Sequence, residues 1–204
     1  VFAEINNVIS LAQKDLGVIG DNSFLFNETD SDYVVAKNLA KYFNGAIVCE
    51  NSAQNGCSKY YYDIKYSSIV LDENNSATTT SGQGAKIILP SGAIIRIESA
   101  KTGCAPIEIT TPATNEYGQP IKNPDGSTVM KTFTRTSCAF IYFDVNGTKR
   151  PNQFGRDNFV ATVYRNKVTA NYGGKTSGSQ SFLNILTGKD KLEYTDYSKG
   201  QGVE

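Results

Sequence analysis

The stretch FDVNGTKRPNQFGRDNF, residues 143–159, is the densest run of turn-forming residues in the chain. It directly follows an apolar, strand-like run, so the pattern predicts a connection between two strands. Within it, Asn146-Gly147 is typical of a tight turn that needs a positive φ. Pro151-Asn152 predicts a second turn shortly afterwards. The stretch therefore indicates a hairpin-like connection with a defined path.

The polar side chains of this loop allow two interpretations. In the first, Asp144 caps the first turn and Asp157 accepts backbone N–H groups, so both residues are structural. In the second, Asp144, Asn146 and Asp157 supply oxygen ligands to calcium, which prefers carboxylate and carbonyl oxygens. The stretch lacks a closely spaced third carboxylate and the bidentate Glu of a complete calcium loop. This favours the structural interpretation, with calcium as the alternative and no other cofactor predicted.

The composition narrows the functional classes. The 204 residues include 20 Lys+Arg and 20 Asp+Glu, so there is no overall basic field, and no specific nucleic-acid partner is expected. The absence of His removes the commonest general base and zinc ligand. Two Asp residues are also the catalytic pair of many glycosidases, but nothing else in the sequence supports that chemistry. The chain is predicted not to be an enzyme.

The four cysteines predict two disulfides. None of them forms a C-x-x-C motif, which disfavours a zinc ribbon or a thioredoxin-like site. Of three connectivities, we favour Cys49–Cys57, which closes a short loop, and Cys104–Cys138, which joins two strand regions. Paired cysteines indicate an oxidising compartment, and the alternative is four buried free thiols in a cytoplasmic protein.

Helical patterns are confined to the beginning of the chain. Residues 1–16 place apolar side chains at helical spacing, and Gly17 follows as a stop signal. A second helix is predicted to begin after a cap at Ser31 or Asp32 and to end at Gly45. No apolar run approaches the ~20 residues that span a bilayer.

From Tyr60 onward the pattern has a period of two residues and predicts only strands. Residues 73–84 form a predicted polar loop, Ser91-Gly92 a hairpin turn, and 110–128 a long surface excursion. The predicted strands are 60–71, 85–90, 93–99, 129–134, 138–145, 158–165 and 167–172. Helices followed by strands predict an α+β fold, with two helices on an antiparallel sheet in one domain over 1–204.

The run of tyrosines at the start of the strand region also has two interpretations. Tyr60, Tyr61 and Tyr62 lie close to Lys59 and Lys65, and such residues are favoured at contact surfaces. The simpler interpretation is an ordinary strand with one buried ring and half-exposed neighbours. We favour the simpler one.

The motif D-x-N-G-x-x-x-P-N-x-x-G-x-D-x-F, which begins at Asp144 after the strand-like run 141–143, resembles type IV pilin-like proteins and the pseudopilins of type II secretion. The resemblance is strongest over 138–165 and weaker over 1–45. It implies that residues 1–17 are the remnant of a long N-terminal helix whose apolar half and leader lie upstream. It also implies that 46–59 faces partners, together with the 110–128 excursion. Residues 187–204 are then a polar C-terminal tail.

The resemblance implies a structural subunit of a type IV pilus or of a type II secretion pseudopilus. Its partners would be other pilin or pseudopilin subunits, with contacts to host surfaces or secretion substrates, and the inner membrane through the upstream segment. The expected location is extracellular, cell-surface or periplasmic, with anchoring in the inner membrane before assembly. The alternative is a secreted β-rich adhesin or carbohydrate-binding domain without a filament role.

Overall fold

The computed structural model describes residues 1–71, 76–115, 119–170 and 174–197. This part of the chain has an α+β fold with three α-helices and a mostly antiparallel set of strands. The helices are α1 (Phe2–Leu16), α2 (Asp32–Ala40) and α3 (Ser179–Leu186). The strands are β1 (Ile47–Cys49), β2 (Asp63–Leu71), β3 (Ser76–Ser81), β4 (Lys86–Ile88), β5 (Ile94–Ser99), β6 (Ile107–Pro112), β7 (Met130–Arg135), β8 (Ser137–Asp144), β9 (Asn158–Tyr164) and β10 (Lys167–Thr169).

Six strands form the main sheet, in the order β1-β4-β5-β8-β9-β10, and every neighbouring pair is antiparallel. Successive side chains point to opposite faces, so the sheet has two different surfaces. Odd-numbered residues of β8 and β9, such as Ile141, Phe143 and Val163, belong to the large core cluster. Even-numbered residues such as Phe140 and Val160 belong to a smaller cluster on the opposite face. We call these the core face and the second face.

Two of the predicted helix ends are present, the end of α1 and the beginning of α2. Helix α1 ends at Gly17, which adopts a left-handed conformation with φ 69°. Ser31 caps α2, because its side chain accepts a hydrogen bond from the backbone N–H of Val34. The predicted end of α2 at Gly45 is wrong, since the helix ends at Ala40 and a turn-rich segment continues to Gly45.

Four apolar side chains of α1 are buried in the large core cluster. They are Ile5, Val8, Ile9 and Ala12. In the same region the ring of Phe2 stacks 6.2 Å from that of Phe143 on β8 and meets Phe182 of α3 edge-on at 4.9 Å. Within the described residues, no helix combines the length and apolar character needed to cross a bilayer.

Two disulfides are present and join the cysteines in the favoured pairs. Cys49–Cys57 closes a short loop after β1, with a sequence separation of 8 residues. Cys104–Cys138 spans 34 residues and ties the segment before β6 to the beginning of β8. The second disulfide therefore closes the base of the whole β6–β7 hairpin. This hairpin stands outside the main sheet as a two-stranded sheet of its own.

The elements that the sequence predicts from about Tyr60 onward differ from the structure in the following places. Residues Ser179–Leu186 form α3, whose five-residue apolar patch, 182–186, is too short to separate a helix from a strand. Part of the predicted polar loop, Ser76–Ser81, pairs with β2 as β3, because its Thr-rich sequence fits a strand once a partner is present. Residues 72–75 of that loop lie outside the described residues. Ser58–Tyr60 is a 3₁₀ turn, so β2 begins at Asp63.

Candidate functional site

The predicted connection joins the neighbouring strands β8 and β9 of the main sheet. Asp144 ends β8 and pairs in register with Asn158, the first residue of β9, so residues 145–157 form the loop. Gly147 has φ 67°, and a Cβ atom there would lie 2.1 Å from the carbonyl oxygen of Gly92. Glycine is required at this turn because it packs directly on the backbone of the β4–β5 hairpin.

Asp144 is a buried carboxylate whose two oxygens both accept hydrogen bonds. Its Oδ1 accepts from the backbone N–H groups of Asn146 at 3.0 Å and Gly147 at 2.6 Å. Its Oδ2 accepts from the hydroxyl of Tyr62 at 2.8 Å and from Nδ2 of Asn158 at 2.7 Å. Four donors match the roughly four lone-pair sites of a carboxylate. The predicted cap of the first turn is therefore present, and Tyr62 reinforces it.

Asp157 plays the matching role at the second turn. Its Oδ2 accepts from the backbone N–H of Asn152 at 2.9 Å, and its Oδ1 from that of Gln153 at 2.7 Å. The amides of Asn146 and Asn158 donate to the same two oxygens at 3.3 Å and 3.2 Å. Only 4% of the Asp157 surface is exposed. The structural interpretation of both Asp residues describes these contacts well.

Asn158 connects the two carboxylates, and sequence reasoning missed it. Its Nδ2 donates both to Asp144 and to Asp157. The signal in the sequence was its position directly after Asp157 at the beginning of a strand. Because a carboxyamide can donate two hydrogen bonds, one buried Asn holds two acidic groups in a common arrangement.

The loop also contacts two other parts of the chain. The backbones of Asn152 and Phe154 hydrogen-bond to both sides of Lys65 in β2, at 2.9 Å and 3.0 Å. The side-chain amide of Gln153 donates to the carbonyl oxygens of Tyr66 at 3.1 Å and Thr195 at 2.8 Å. The loop thus joins β2 and the segment after α3 to the main sheet. Neither contact was visible in the sequence, because the partners lie 42 or more residues away.

Burial sets the ionisation of the groups around Asp144. Burial raises the pKa of Asp144 to about 6, although the hydrogen bonds from Tyr62 and Asn158 act in the opposite direction. Burial and the neighbouring Asp144 both raise the pKa of Tyr62, so its hydroxyl stays protonated and donates. Burial, and then the charge of Arg96, lowers the pKa of Lys86 to about 8. A neutral Tyr and a carboxylate accepting four bonds are the expected state at neutral pH.

The tyrosine run is used inside the protein. Tyr62 donates to Asp144, and the hydroxyl of Tyr61 donates to the carbonyl oxygen of Cys49 at 3.1 Å. The ammonium of Lys86 lies 4.7 Å from the centre of the Tyr61 ring and 5.5 Å from that of Tyr62. Lys59 lies 5.0 Å from the ring centre of Tyr60. The run is not the predicted strand with one buried ring, because Tyr60 ends a 3₁₀ turn, β2 begins at Asp63 and all three tyrosines are half-buried.

The loop is poorly arranged for a cation. Both oxygens of Asp144 and of Asp157 already accept from N–H or O–H donors. Among the three predicted ligands, only Oδ1 of Asn146 has no donor. Calcium takes six to eight oxygen ligands, so binding would have to displace several N–H groups that point at these oxygens. Across the described ranges, no three acidic or sulfur-containing side chains form a group that could hold a metal. Calcium stays a prediction to be tested.

Comparison with protein-family models, with curated proteins and with solved structures finds no match to this chain. Function must therefore be argued from the residues themselves.

Proposed function

We propose that this chain is the globular part of a pilin-like or pseudopilin subunit, whose work is assembly rather than catalysis. The observation that supports the proposal best is the hydrogen-bonded loop between β8 and β9. Every carboxylate oxygen of Asp144 and Asp157 accepts hydrogen bonds from the chain itself, so the motif that resembles the pilin-like family is a folding device for the last strands. A subunit that must survive in a filament benefits from such a connection, because loop ends without partners open first.

In this proposal α1 lies against the core face of the sheet and carries the subunit into the filament. Support comes from the buried side of α1 and from a polar chain of contacts beside it. The side chain of Gln13 donates to Asn22 at 2.8 Å, and Asn22 donates to the carbonyl oxygen of Tyr164 at the end of β9. Away from this buried side, α1 exposes 43% of Leu11, and at its C-terminal end it exposes 56% of Leu16. These side chains would contact neighbouring subunits.

The two disulfides suggest an oxidising compartment, extracellular or periplasmic. Both places fit a subunit that is assembled at the inner membrane and displayed outside. The second face, with the tyrosine run and the β6–β7 hairpin, would then point away from the filament axis. The alternative, a secreted β-rich adhesin or carbohydrate-binding domain, shares the compartment and differs only in assembly.

The first test is the gene sequence upstream of Val1. We expect a short leader that ends in a small residue, then Phe or a similar residue, a Glu a few positions later, and ~20 apolar residues. An ordinary secretory signal directly before this domain would contradict the proposal.

The second test uses the exposed side of α1 in the full-length protein. Leu11→Asp should abolish filaments seen by electron microscopy of sheared cell-surface material, because it places charge in a subunit contact. The matched control is Leu192→Asp, since Leu192 is exposed to a similar extent, 41%, outside the helix. Both variants should melt at the wild-type temperature as isolated domains. Normal filaments with Leu11→Asp would contradict the assigned contact surface, and absence of this chain from any filament would reject the proposed function.

A further inference from the structure

A cavity of about 590 Å³ lies between the β6–β7 hairpin and the second face of the main sheet. Its wall combines residues of the hairpin with residues of β8 and β9. The principal lining residues are Ile109, Thr111, Phe133, Arg135, Phe140 and Tyr164. The volume matches that of small-molecule sites, which range from a few hundred to about 1,000 Å³.

The lining offers both aromatic surface and hydroxyl groups. Phe133 pairs with Ile109 across the hairpin, and 44% of its surface is exposed, which is unusual for a large apolar side chain. Thr111, on the same side of the hairpin as Ile109 and Phe133, is also a lining residue and carries a hydroxyl. Aromatic faces beside hydroxyl donors and acceptors suit a ligand with both apolar C–H faces and many polar groups.

The charged residues that line this cavity and its neighbour are cations. The guanidinium of Arg135 lies 5.7 Å from the centre of the Phe140 ring, which orients its planar group. A second cavity of about 520 Å³ shares Thr136 with the first and adds Arg165 and Lys167. Neither cavity has an Asp or Glu among its lining residues. An anionic ligand in the first cavity therefore meets Arg135, whereas Arg165 in the second cavity lies 3.8 Å from Oδ2 of Asp21.

Two buried polar atoms beside the cavity have no hydrogen-bond partner among the described residues. They are Oγ of Ser137, a lining residue of which only 2% is exposed, and Nε of Arg135. Nearly all buried polar atoms in folded proteins are hydrogen-bonded, so unpartnered ones mark places where something else supplies the partner. Here a hydroxyl and a guanidinium nitrogen adjoin the same cavity.

We propose that this cavity binds an acidic saccharide, with the sugar carboxylate on Arg135 and the apolar sugar face on Phe133. Arg recognises carboxylates through two parallel N–H bonds, and its planar group is already oriented by Phe140. Single-stranded nucleic acid also uses aromatic rings and cations, but it requires a charged track along many phosphates. A single guanidinium, that of Arg135, in an open cavity beside aromatic rings fits one acidic sugar unit better than a long polyanion. The proposal does not depend on filament assembly.

The test is a titration of the ¹⁵N-labelled domain by NMR with digalacturonic acid and with N-acetylneuraminic acid. At least one acid should shift the amide signals of β7 and β9 in a saturable way. The methyl ester of the same sugar is the matched neutral ligand and should bind about tenfold more weakly, because the ion pair is lost. An oligothymidylate of similar charge should not shift these signals. Binding of neither acid, equal binding of the ester, or preference for the oligothymidylate would each overturn the proposal.

Variants separate the ligand contact from a general loss of folding. Arg135→Gln should weaken binding of the acid at least about tenfold, and Arg135→Lys should restore part of it, since the charge returns without the planar fork. The matched control is Arg156→Gln, because Arg156 also stacks on an aromatic ring, 5.1 Å from the centre of Tyr194, away from the cavity. Should Arg135→Gln fail to fold, Phe133→Ala replaces it, with the same loss expected. Wild-type affinity in the folded variants would contradict the proposed contacts.

Discussion

The loop between β8 and β9 and the hairpin β6–β7 use similar residues in opposite ways. In the loop, Asp144 and Asp157 are almost fully buried, and each accepts four hydrogen bonds from the protein. In the hairpin, Phe133 and Met130 are about half exposed, and Arg135 has a buried Nε without a partner. The loop resembled a functional site in the sequence, whereas the hairpin resembled a plain surface excursion.

This comparison shows that many polar side chains in one stretch of sequence are, alone, a poor guide to function. A buried group whose bonding capacity is used by its own chain has little left for a ligand. Exposed aromatic rings and hydrogen-bond donors without a described partner can still contact a ligand, because the fold does not use them. Four predictions test two points. The first is that the polar groups of the loop are satisfied within the chain, and the second is that the hairpin depends on the disulfide at its base.

The largest effect is expected from removing the disulfide at the base of the hairpin. In Cys104→Ala/Cys138→Ala the free energy of unfolding should fall by about 4 kcal/mol, because the crosslink closes a long loop of the unfolded chain. The matched control, Cys49→Ala/Cys57→Ala, removes equally buried cysteines from a much shorter loop and should cost about 2–3 kcal/mol. Urea unfolding followed by circular dichroism measures both. A larger loss for the short loop would contradict this ranking.

The next effect concerns the acceptors of the acidic loop. Asp157→Ala leaves buried N–H groups of Asn152 and Gln153 without partners, so the free energy of unfolding should fall by about 3 kcal/mol. Asp125→Ala is the matched control, because Asp125 accepts from the backbone and hydroxyl of Ser127 in an exposed turn of the hairpin region. It should cost much less, because Asp125 is exposed. If urea unfolding shows the same loss of free energy for both variants, burial does not make the acceptor in the loop more important than the exposed one.

A pH-dependent effect follows from the raised pKa of Asp144. Its folded pKa of about 6 lies above its ordinary value of 3.8, so ionisation is harder in the folded protein than in the unfolded chain. The stability that Asp144 contributes is fully present below pH ~4 and is lost as the pH rises to about 6. The free energy of unfolding of wild type relative to Asp144→Asn should therefore fall by on the order of 1–2 kcal/mol between these pH values. A difference that rises over this range would reverse the assigned sign.

Much of the fold could be predicted from local patterns. The stop at Gly17, the cap at Ser31 and the hairpin turn before β5 are set by nearby residues, and the structure has each of them. Helix α3 and strand β3 were missed because short segments take their conformation from the partners they pack against.

The candidate site was predictable only in part, for the same physical reason. The roles of Asp144 and Asp157 follow from turns formed within a few residues. The contact of Tyr62 with Asp144 joins residues 82 positions apart, and the cavity beside Arg135 depends on how a hairpin folds over the sheet. Contacts of this range depend on tertiary packing, and no local pattern in one sequence specifies them.

The smallest effect is expected from calcium, and it tests the loop most directly. Because both carboxylates already accept from N–H and O–H donors, millimolar calcium should leave the melting temperature unchanged relative to a chelator, as should magnesium. A ligand that binds only the folded state must raise the melting temperature, so a rise with calcium but not magnesium would indicate a site. Loss of that rise in Asp157→Ala, but not in Asp125→Ala, would place the ion in the loop. The donors would then have to turn away from the carboxylates, and the loop would no longer be self-contained.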